Sequence, residues 1–92
     1  MMGGTRRNTG PAYWMHETTG VLRPAVEAYL HGERMTPDQI AAMRAYLRQW
    51  IADDNWEGPL IDPLRTMVND IRTQTDISRW LDLADDAAID PL

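Results

Sequence analysis

Cysteine, lysine and phenylalanine are missing from this 92-residue chain, and it holds only two histidines and one serine. Without cysteine there is no disulfide, no thiolate zinc site and no cysteine nucleophile. A protein-only zinc site would have to join His16 or His31 to carboxylates. His16-Glu17 is followed by Thr-Thr-Gly, which breaks the H-E-x-x-H pattern at its second histidine. Ser78 stands among aspartates with no histidine near it in sequence, so a capping or surface role is expected of it. No cofactor and no enzymatic activity are expected.

Long apolar runs are also missing. No stretch approaches the 18 or so residues that cross a bilayer, and residues 1–10 lack the apolar segment of a signal peptide. A cytoplasmic location without membrane contact is the expectation. All nine cationic side chains are arginines, set against 14 carboxylates, for a net charge of −5. That balance disfavours direct nucleic-acid binding through a basic field. The lack of Lys and Phe beside abundant Arg, Ala and Asp suggests the codon bias of a GC-rich bacterial or phage genome.

What is present reads as helix. Thr36-Pro37-Asp38-Gln39 is a capping box with proline at the first helical position. It opens a helix that runs to about residue 52. At about 100° per residue, Ile40, Met43, Tyr46, Leu47, Trp50 and Ile51 fall within an arc of roughly 140°, and Arg44 and Arg48 form a cationic edge beside it.

An earlier helix is predicted over 23–31, with Leu22, Ala25, Val26, Tyr29 and Leu30 inward and Gly32 as its stop. A third is predicted from 60 or 61 to 73, burying Leu60, Ile61, Leu64, Met67, Val68 and Ile71, with Asp62 as a cap candidate and Arg65 and Arg72 at its borders. After a turn at Gln74-Thr75, a fourth helix capped by Thr75 or Asp76 is predicted to run to about residue 88. It turns Ile77, Trp80, Leu81 and Ala84 inward and Ser78, Asp82, Asp85 and Asp86 outward.

No strand-like alternation and no internal repeat appears. The expected fold is all-α: a compact array of about four short helices in one domain over 13–92, preceded by a flexible N-terminal arm over 1–12 rich in Gly, Thr and Arg. Tyr13-Trp14-Met15 either dock that arm or form an exposed patch. The turn-rich segment 54–59 carries Trp56, expected to fold back over the core. The four tryptophans either all serve the core or leave one at an interface, where Trp is enriched.

Two function classes survive. In the first, the chain is an acidic protein–protein interaction module acting as an adaptor, inhibitor or regulatory subunit. Its working surface would combine Asp82, Asp85, Asp86 and Arg79 with Trp14 and Trp56. The partner would be a protein with a basic, nucleic-acid-handling surface, or a second copy met through Arg44, Arg48, Arg65 or Arg72. In the alternative, the chain is a homodimeric DNA-binding regulator of helix-turn-helix type. The link 53–59 is too long for that motif; the short turn after the third helix would suit it, but its recognition helix would present aspartates to phosphates.

Overall fold

Thr36 begins the best-defined element by satisfying two orphan helix donors at once. Its hydroxyl accepts the Gln39 N–H at 3.2 Å, and the Gln39 side-chain oxygen accepts the Thr36 N–H at 2.9 Å. A computed structural model describes residues 20–53 and 55–92 of the chain. Among them are four helices and no strand: α1 (Leu22–Leu30), α2 (Pro37–Ile51), α3 (Ile61–Met67) continued by a 3-10 turn (Val68–Asp70), and α4 (Gln74–Asp86). The arm at 1–12 and the Tyr13-Trp14-Met15 cluster lie outside the described residues.

Helix α2 is the central packing element. It contacts α1, α3, the 3-10 turn and α4, and it buries Met43, Tyr46, Leu47, Trp50 and Ile51 along its predicted stripe. Around it close Leu22, Ala25 and Val26 from α1, Ile61 and Leu64 from α3, Val68 and Ile71 from the turn, and Ile77, Trp80 and Ala84 from α4. No buried charged or polar residue interrupts this cluster. The Trp80 indole N–H donates to the Leu64 carbonyl at 2.9 Å, so this large ring enters the core with its one donor satisfied.

Five expectations are corrected. The third helix does not reach residue 73: it ends as α-helix at Met67, and Ile71 is extended (φ −67°, ψ 118°). The competing structure is a second capping box, in which the Thr73 hydroxyl accepts the Asp76 N–H and the Asp76 carboxylate accepts the N–H groups of Thr73 and Arg72. That box moves the cap of α4 to Thr73, two residues before Thr75, and moves the turn from Gln74-Thr75 to residues 71–73. Leu30 and Met67 point outward, because each is the last residue of its helix and lies past the edge of the buried stripe. Ser78 is half-buried, not outward, and its hydroxyl pairs with the Tyr29 hydroxyl at 3.2 Å. Asp62 does not cap α3; it lies in the first turn and forms a long 3.7 Å ion pair with Arg65.

Two helices end in the same hydrogen-bonded motif. After α1 the Glu33 N–H reaches the Ala28 carbonyl and the Gly32 N–H reaches Tyr29, with Gly32 at φ +70°. After α4 the Ile89 N–H reaches Ala84 and the Ala88 N–H reaches Asp85, but here the left-handed position (φ +61°) is held by an alanine. That second ending turns the chain back, so that Pro91 is buried and Ile89 and Leu92 pack on the core.

Candidate functional site

The link between α1 and α2 fixes the start of α4. The Gln74 side-chain amide donates to the Glu33 carbonyl at 2.8 Å and accepts the Met35 N–H at 3.1 Å. With Ile77, Trp80 and Ala84 locked in the core, the opposite side of α4 is set by helix periodicity alone. Arg79, Asp82, Asp85 and Asp86 are all exposed there. Among the described residues, no cation pairs with Asp82, Asp85 or Asp86 and no donor bonds to their carboxylates. Asp85 and Asp86 sit in the last turn of α4, which holds no basic residue.

The arginines are arranged differently. Arg44 donates to the Ile71 carbonyl at 2.8 Å, Arg72 donates to the Asn69 and Ile71 carbonyls at 2.8 and 3.1 Å, and Arg48 donates to the Asn69 side-chain oxygen at 3.3 Å. Three guanidinium groups therefore meet at one turn. Their role there is legible: with the 3-10 turn ended, its carbonyls lack intrahelical partners and arginine donors replace them.

Arg65 does the same for α2. Its Nε and one Nη donate to the carbonyls of Ile51 and Asp53 at 3.0 and 2.9 Å. Beside it lies an open recess of about 320 Å³ lined by Arg48, Ile51, Ala52 and Arg65.

Trp56 covers the core as its turn-rich segment suggested. Its ring centroid lies 4.5 Å from that of Trp50 at an interplanar angle of 38°, and its indole N–H donates to the Trp50 carbonyl at 3.0 Å. It is half-buried, whereas the Trp50 indole N–H beneath it is buried and has no hydrogen-bond partner. Trp14, the other aromatic expected at a partner surface, lies outside the described residues.

The expected surface residues thus divide into three places: the acidic end of α4, an arginine seam beside the 3-10 turn, and an indole lid over the end of α2. Among the described residues no group of three or more His, Asp or Glu side chains could hold a metal ion, and no helix is long and apolar enough to cross a membrane. The turn between the 3-10 segment and α4 has the length of a helix-turn-helix link, but the outward face of the second helix carries the three aspartates. The chain matches no protein-family model, no curated protein and no solved structure.

Proposed function

We propose that this protein is a non-enzymatic interaction module that presents the acidic end of α4 to a basic surface on another protein. The observation that carries the reading is where the three carboxylates sit. The C-terminal end of a helix bears partial negative charge, and it is cations that stabilise it, by about 0.3–1 kcal/mol each at exposed positions. Here that end carries Asp85 and Asp86, with Asp82 one turn earlier and no basic residue in the last turn. Asp82 also faces Asp85 and Asp86 at i+3 and i+4, where like charges repel by a few tenths of a kcal/mol.

A sequence selected for stability alone would place arginine in that turn, as it does at the seam. A basic partner supplies the missing cations, which gives charge complementarity, orientation and fast association. The surfaces that best meet three clustered carboxylates are those that otherwise hold phosphates. The fitting roles are accordingly adaptor, inhibitor or regulatory subunit of a nucleic-acid-handling protein, in a bacterial or phage setting.

The test is paired capture from the cells that make the protein, with the wild type and the Asp82→Asn/Asp85→Asn/Asp86→Asn variant as baits. A nucleic-acid-handling protein held by the wild type, lost by the variant and released by salt supports the reading. Equal capture by both baits at low salt overturns it.

A further inference from the structure

We propose that the arginine seam is a carboxylate-binding surface and that its occupant is the acidic end of α4 from a second copy of this chain. Arg44, Arg48 and Arg72 converge on residues 69–71, and each is anchored there through one Nη to a neutral oxygen. A guanidinium has five N–H donors in a planar fork. Among the described residues the remaining donors of all three make no hydrogen bond, and no carboxylate lies within ion-pairing distance of any of them. Asp70, exposed in the same turn, pairs with none of the three. Anchoring fixes the forks without neutralising them, which is the arrangement that receives carboxylates in paired hydrogen bonds.

The molecule carries the complement itself. Three unpaired guanidinium groups lie on one surface and three unpaired carboxylates, Asp82, Asp85 and Asp86, on another. Within one molecule these two sets do not pair with each other. Their separation leaves each to be satisfied between molecules. Exposed charge pairs each contribute little, so the self-association is weak and salt-labile.

The inference rests on the same acidic surface as the proposed function and gives it a regulatory consequence. Self-association covers the carboxylates, and a basic partner has to displace the second copy.

Sedimentation equilibrium of the full chain tests this at about 20 mM and about 0.5 M salt, with an expected weakening of roughly tenfold or more between them. Arg48→Glu/Arg72→Glu and Asp82→Arg/Asp85→Arg/Asp86→Arg are each expected to stay monomeric alone and to associate when mixed at low salt. The helical circular-dichroism signal and cooperative melting of each variant check that it is folded. A wild type that is monomeric throughout at low salt overturns the second copy as occupant, and so does a dimer that neither variant disturbs. The Arg48→Glu/Arg72→Glu variant keeps its acidic surface, so its capture of a basic partner reports on the proposed function separately from self-association.

Discussion

The phenol of Tyr46, in the middle of α2, donates a hydrogen bond to the carbonyl of Pro91, 45 residues along the chain. Both residues are buried, so the bond ties the segment after α4 to the central helix where water cannot compensate for its loss. Tyr46→Phe leaves the Pro91 carbonyl without this donor and is expected to lower stability by about 1–3 kcal/mol, read from denaturant midpoints.

The same phenol predicts an alkaline limit. Burial, with the Asp90 carboxylate nearby, pushes the Tyr46 hydroxyl well above the ordinary tyrosine range. Its folded-state pKa is raised, so its contribution is complete below the unfolded value of about 10 and falls away as pH rises beyond that. Wild-type stability should therefore drop above about pH 10, and the Tyr46→Phe curve should be flatter over the same interval.

Ala88 occupies a left-handed backbone position, φ +61°, where a Cβ is strained by about 1–2 kcal/mol. Ala88→Gly relieves that strain and adds unfolded-state entropy, for a net stabilisation of about 0.5–1 kcal/mol. The expected readout is a melting temperature higher by a few degrees. A lower one would mean that the tail, not the backbone conformation, dominates at this position.

The capping box of α4 sets the acid limb. Backbone N–H donation from Arg72, with Thr73 and the nearby Arg79 acting in the same direction, outweighs the opposing effect of desolvation and holds the Asp76 carboxyl below the usual carboxylate range. A lowered folded-state pKa contributes stability above the unfolded value of about 4 and loses it as pH falls through the folded one. Thr73→Ala is expected to cost about 1 kcal/mol at neutral pH. It should also raise the Asp76 titration midpoint, followed by side-chain carboxyl NMR.

The cap at Thr36 was legible because its whole signal lies within four consecutive residues. The cap at Thr73 obeys the same grammar, Thr-x-x-Asp, yet Thr75 and Asp76 are cap formers too, and only the buried position of Ile71 selects among them. Periodicity identified the inward stripes but not where they stop, which is why Leu30 and Met67 were expected inside.

The outward placement of Asp82, Asp85 and Asp86 follows from spacing alone once Ile77, Trp80 and Ala84 are assigned to the core. The partners of the arginines do not. Arg44 reaches a carbonyl 27 residues away and Tyr46 one 45 away, and no local pattern encodes those separations.

Neutralising the acidic helix end should make the isolated protein more stable. Asp82→Asn/Asp85→Asn/Asp86→Asn removes like-charge repulsion and unfavourable interaction with the helix end, and is expected to gain about 1 kcal/mol at low ionic strength. The gain should shrink as salt is added. Chemical denaturation at two salt concentrations measures it, at protein concentrations low enough for the wild type to be monomeric, because self-association stabilises the folded wild type.

The central claim is that these three carboxylates bind a basic partner. The most direct measurement is the affinity of the captured partner for wild type and for the triple Asn variant, by titration calorimetry at low and high salt. The expected result is a loss of roughly tenfold or more on substitution at low salt, converging at high salt. Equal affinities at low salt would contradict the claim and return the acidic end of α4 to a merely solvated surface.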